Sequence, residues 1–140
     1  MPASQRAWSL AVAGQFSRFV VVGASNTLLS FVTYIAAVRL GSPYPLAAAA
    51  GFAAGAVNGY LLNRRWTFGS DDSAGARVRY LGVQLGGLLA TSTLLWAFMD
   101  AGLGHIAGYL LAVPIVTVAM FVANRQWTFA DASRRTRTAS

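Results

Sequence analysis

Two short runs carry the side chains best suited to chemistry: Asn63-Arg64-Arg65-Trp66-Thr67-Phe68 and, 61 positions later, Asn124-Arg125-Gln126-Trp127-Thr128-Phe129. A planar guanidinium donates paired hydrogen bonds to a phosphate, and an asparagine amide can bond a phosphate or a sugar hydroxyl. An aromatic face can cover a sugar ring or isoprenoid carbon. The combination suits an amphiphile with an anionic neck. Tryptophan and arginine also suit any membrane edge, where the ring sits among head groups and the arginine snorkels. That accounts for one copy, but not for Asn, Arg, Trp, Thr and Phe recurring in one order.

The elements that position these runs recur too. With the same offset and no gap, Arg18 falls on Arg79, Phe19 on Tyr80, Leu28 on Leu89 and Gly41 on Gly102, so the chain is a doubled unit. Phe19 to Val38 has no side chain charged at neutral pH. To within a residue or two the same holds for Leu46 to Leu62, Tyr80 to Met99 and Ile106 to Ala123. A bilayer core of roughly 30 Å needs a helix of about 20 residues, so all four stretches qualify as spans. Hydrophobic residues make up 56% of the chain. A soluble bundle is disfavoured, because four uncharged spans leave no polar face for water. Barrel strands are shorter and alternate in polarity, which these segments do not. The expected fold is all-α: an integral membrane four-helix bundle made of two parallel two-helix repeats. Its expected parts are a tail over 1–18, a first repeat over 19–68, a linker over 69–76, a second repeat over 77–129 and a tail over 130–140. The short apolar stretch from Trp8 to Ala13 does not read as a cleaved signal.

Arginine distribution sets the expected orientation, because positively charged short flanks stay in the cytoplasm. Of the eleven cations, all arginine, ten lie on one side: Arg6, Arg18, Arg64, Arg65, Arg77, Arg79, Arg125, Arg134, Arg135 and Arg137. Only Arg39 lies on the other. Both termini and both Asn-Arg runs are therefore expected in the cytoplasm. The two halves share one orientation, related by a pseudo-two-fold axis along the membrane normal. The formal charge of +7 invites a nucleic-acid reading. These arginines sit at membrane edges, however, so anionic lipid head groups are the expected partner and nucleic acid is not.

Polar residues inside the spans are costly without partners, so their depth is informative. Asn26, Asn58 and Gln84 all fall in the half of their spans nearest the basic end. Each alone could be interhelical glue. Together with the arginine runs they suggest a cavity that opens inward and closes outward. Gly51, Gly55 and Gly59 repeat every four residues in the second span, and Gly82 and Gly86 do so in the third. These small faces are expected to serve helix packing, either within the subunit or between copies in a homodimer. Pro114 is expected to kink the fourth span.

The opening Arg18-Phe19-Val20-Val21-Val22-Gly23 with Asn26 just after, Asn58 ahead of the first run, and the two Asn-Arg runs resemble the GtrA-like family of small four-span membrane proteins, over about residues 16–130. The resemblance implies a role in making cell-surface polysaccharides in the bacterial inner membrane. The function proposed for members is movement of polyprenyl-phosphate-linked sugars from the inner to the outer leaflet. It also implies that Asn26, Asn58, Asn63, Arg64 and Arg125, with the terminal aromatics, match recurrent family positions.

The expected binding set is then Arg18, Asn26, Asn58, Asn63, Arg64, Arg65, Trp66, Arg79, Gln84, Asn124, Arg125 and Trp127. A non-transporting accessory subunit that anchors a polyprenyl-linked glycosyltransferase is the alternative. A proton-coupled exporter would need a carboxylate within the spans, and spans one and two have none. No enzyme, cofactor or metal is expected. There is no cysteine, lysine or glutamate and no phosphate-cradling loop. Asp71-Asp72 lies in a linker-like stretch, and the single His105 lies at the far end.

Overall fold

The computed structural model describes residues 3–130 and contains four long helices. They are α1 (Ala3–Arg39), α2 (Tyr44–Leu62), α3 (Ala74–Asp100) and α4 (His105–Ala123). Each of α2 and α4 continues into one turn of π-helix, Asn63–Thr67 and Asn124–Thr128. All four helices are long and apolar enough to cross a bilayer, so the chain is an all-α, four-span membrane protein, as its composition requires. The exposed large side chains include Leu28, Phe31, Leu89, Ile106 and Leu110. Hydrocarbon, not water, suits such a surface.

The chain divides into two units, Met1–Asp71 and Asp72–Ser140, each a helix pair. In the first, α1 packs on α2, and in the second, α3 packs on α4. The connections at the tips are the same motif twice. Gly41 at φ 87° and Gly102 at φ 93° take the left-handed conformation that only glycine adopts cheaply. Ser42 N–H then donates to Ala37 O and Leu103 N–H to Phe98 O, both at 3.0 Å, capping α1 and α3. Between the units, Ser73 caps α3: its Oγ accepts from Ala76 N–H at 3.0 Å. The helix therefore starts at Ala74, within the stretch expected as linker.

The other departure is at the N-terminus. Residues 3–18, expected as a tail, continue span one as a single helix. The segment is rich in alanine and holds no proline after Pro2, so nothing in it stops a helix once the span has nucleated one. At 37 residues and 1.5 Å each, α1 is about 55 Å long, well beyond the hydrocarbon thickness.

Glycine accounts for the close approach in each pair, at different places. A Cβ on Gly51 would lie 2.6 Å from the Ser30 backbone oxygen. One on Gly55 would overlap Ser30 Oγ and lie 3.1 Å from Asn26 O. Both glycines are buried against α1, and Gly59 is buried too. In the second unit the approaches are made by Gly87, against Met120, and Gly108, against Leu95 and Phe98. Gly82 and Gly86, expected to pack, meet nothing within 4 Å. They lie on a face of α3 turned away from α4. Helix α4 passes through Pro114 as one helix.

Candidate functional site

The recurring runs are π-turns, and that divides each into two sets of side chains. Phe68 N–H donates to Asn63 O at 2.9 Å and Phe129 N–H to Asn124 O at 2.8 Å, five-residue spacings in place of four. The wider turn carries Phe68 back onto Phe19, centroids 6.4 Å apart, and Phe129 onto Tyr80, 6.2 Å apart. Asn63, Thr67 and Phe68 are buried, as are Asn124, Thr128 and Phe129. Arg64 and Arg125 are half-buried, while Trp66 and Trp127 are exposed. Asn, Thr and Phe thus recur because they build the turn. Arg and Trp are what the turn presents.

The two asparagines expected at a ligand face inward. Asn63 Oδ1 accepts from Thr67 Oγ1 at 2.9 Å. Asn124 Nδ2 donates to Met120 O at 3.0 Å, while Asn124 Oδ1 and Thr128 Oγ1 are buried without a partner among the described residues.

In the first unit the arginines surround the turn. Arg18, one residue before Phe19, donates from Nη1 to Trp66 O at 3.0 Å, and its guanidinium carbon lies 5.7 Å from the Trp66 ring centroid. Arg64 lies 6.0 Å from the Tyr60 ring. Arg65 is exposed. A groove of about 370 Å³ runs beside this rim, lined by Leu10, Ala11, Gly14, Gln15, Arg18 and Thr67. Tyr60 was not among the expected site residues. Its spacing of four from Arg64 on one helix is the signal that could have found it.

Two guanidinium nitrogens stand out, one in each unit. Arg64 Nε and Arg79 Nε are buried and have no hydrogen-bond partner among the described residues. A buried N–H without an acceptor costs about 1–3 kcal/mol. Neither arginine pairs with a carboxylate among the described residues. Arg77 does, pairing with Asp72 at the start of α3.

Deeper in the first unit, Asn58 joins α2 to α1. Its Nδ2 donates to Asn26 Oδ1 at 2.8 Å and to Ser25 Oγ at 3.1 Å. The group lies about 7–12 Å along the helices from Asn63 and Arg18, at 1.5 Å per residue. All three side chains are half-buried, not sealed. Gln84, in the second unit, donates from Nε2 to Tyr80 Oη at 2.6 Å along its own helix. Residues 131–140, with Arg134, Arg135 and Arg137, lie outside the described residues. Among the described residues no three His, Asp or Glu side chains come together as metal ligands.

The sequence has known relatives. Residues 18–137 match the family described as "GtrA/DPMS, transmembrane domain". The matched stretch begins at the rim arginine Arg18 and takes in both π-turns. The chain is also 32% identical over 116 residues to the "Uncharacterized membrane protein YngA" of Bacillus subtilis (strain 168), covering 81% of this chain and 78% of the relative. The match spans most of both proteins, not a single motif. This chain is a member of the GtrA/DPMS transmembrane family.

Proposed function

We propose that this protein moves a polyprenyl-phosphate-linked sugar across the bacterial inner membrane, from the cytoplasmic leaflet outward. The observation that carries the proposal is the pair of buried, unpartnered Nε groups of Arg64 and Arg79. A phosphodiester oxygen satisfies such a group, and the remaining guanidinium donors give it a second bond. Trp66 and Trp127, exposed beside the arginines, suit the boundary between head group and chain. Arg65 and Arg125 add positive charge to the rims.

The sugar is the part that resists crossing, because each hydroxyl loses its water in hydrocarbon. Half-buried Asn26 and Asn58 offer replacement hydrogen bonds within the span. With the cell interior negative, outward movement of one negative charge is favoured by about 2.3 kcal/mol per 100 mV, so the membrane potential can drive it. The arginine bias sets the orientation, with both termini and both π-turns cytoplasmic. Family membership supports the link to glycosyl-carrier lipids. The work is binding and passage, without bond chemistry.

A second role is favoured by one observation: the N-terminal part of α1 exposes Trp8 and Leu10 beyond the length a bilayer covers. Such a helix suits an accessory subunit that docks a polyprenyl-linked glycosyltransferase. Mass spectrometry of lipids retained by the protein in mild detergent tests the first role. Flipping requires a polyprenyl-phosphate sugar among them, and phospholipid alone would count against it.

A further inference from the structure

The two units superimpose in sequence register but not in chemistry at mid-helix. Moving 61 positions takes Asn26 to Gly87, Asn58 to Ala119 and Gly59 to Met120. In the first unit the larger side chain is on α1, at Asn26, and the small one, Gly59, is on α2. In the second the sizes are exchanged. Met120 of α4 fills the space over Gly87, where an added Cβ would overlap its Sδ. The helix pair stays closed in both cases, but one interface holds amides and the other a thioether.

The amides are also selective in what they leave unused. Asn58 Nδ2 is committed to Asn26 Oδ1 and Ser25 Oγ. That leaves Asn26 Nδ2 as a donor and Asn58 Oδ1 as an acceptor, neither with a partner among the described residues. One spare donor and one spare acceptor on two hydrogen-bonded amides match a hydroxyl, which does both. They do not match a phosphate, whose oxygens only accept and would be repelled by Asn58 Oδ1. No cation lies in this group.

We infer that the doubled chain has divided its labour: the first unit alone reads the head group, through Asn26 and Asn58, which recognise a neutral polyhydroxylated sugar, while Met120 seals the corresponding place in the second. This rests on the flipping role proposed above and makes it asymmetric. Each chain handles one sugar, not two, and discrimination between glycosylated and bare carrier lipid resides in the amides. The arginine rims take hold of the phosphate common to both lipids.

The test compares binding of polyprenyl phosphate and of polyprenyl phosphate carrying one glucose, by native mass spectrometry of the full chain in nanodiscs. The wild type should prefer the glycosylated lipid by about fivefold or more, the scale of one or two hydrogen bonds. Asn58→Ala should erase that preference while still binding the bare lipid. Asn26→Gly, which copies the second unit, should do the same if Asn58→Ala fails to fold. Arg64→Ala should weaken both lipids equally, and Met120→Ala should change neither. If the preference survives both asparagine variants, or falls as far with Met120→Ala, the division of labour is wrong although the flipping role stands. If the wild type binds neither lipid, both fall together.

Discussion

Asn58 Nδ2 sits 2.8 Å from Asn26 Oδ1, tying α2 to α1 at a depth where the second unit has only Ala119, Gly87 and Met120. A hydrogen bond between membrane helices stabilises them by about 1 kcal/mol or less. The bond alone is therefore a modest reason to hold two amides in hydrocarbon. What the bond also does is orient them. It fixes which amide atoms point away from the interface and remain for a ligand.

Packing makes an unequal demand on the glycines. Gly51→Ala forces a Cβ toward the Ser30 backbone, so the helices must separate, at a cost of about 1–3 kcal/mol. Gly82→Ala and Gly86→Ala meet open space in their unit and should be neutral or stabilising by about 0.5–1 kcal/mol through helix propensity. Thermal unfolding in detergent checks both. A large loss at Gly82 or Gly86 would show that a second surface covers that face.

The inward asparagines should act on the fold. Asn63→Ala leaves Thr67 Oγ1 buried without its acceptor and should destabilise the protein by about 1–3 kcal/mol. Lipid affinity of the folded fraction should hardly change. A variant that melts like wild type but loses ligand would instead place Asn63 at the lipid.

The rim arginines should behave in the opposite way. Arg64→Ala and Arg79→Ala remove a buried, unpartnered donor and should leave the melting temperature unchanged or raised. Each should weaken binding of a polyprenyl phosphate about tenfold, the scale of a charge-assisted hydrogen bond. Arg6→Ala on the exposed N-terminal turn is the control, expected to have little effect. Equal losses at all three would reduce the rims to general surface charge.

Orientation can be read directly, because the chain has no cysteine. Single cysteines by Asp71→Cys, between the units, and Leu40→Cys, on the first tip, both fall at exposed positions. An impermeant maleimide added to intact cells should label residue 40 and spare residue 71. The reverse pattern would invert the topology.

Spans and doubling were legible because hydrophobic length and a constant offset each leave a mark on residue type. The close approach at Gly51 and Gly55 was legible because small residues four apart line one helix face. The π-turns were not. A five-residue bond differs from a four-residue one by a single position, and the Asn, Thr and Phe that build it announce polar and aromatic chemistry before they announce a turn. Here it accompanies the seating of Phe68 on Phe19 and of Phe129 on Tyr80, contacts across about fifty residues of chain. For that reason Asn63 and Asn124 looked like ligand groups from their chemistry while their side chains turn inward. Gly87 was hidden by its neighbour: Gly82 and Gly86 make a regular stripe, but one residue onward is about 100° around the helix, and Met120 closes on Gly87. Helix α1 ran past its expected start because the charge pattern marks where a span meets water, not where a helix ends.

Leaflet exchange of the carrier lipid tests the central claim most directly. Polyprenyl-phosphate glucose in liposomes exposes its diols to impermeant periodate only in the outer leaflet. With purified protein reconstituted, oxidation should run to the whole lipid pool, and Asn26→Leu should return it to the outer-leaflet share. If wild-type liposomes stop at the same share as protein-free ones, the protein does not move this lipid.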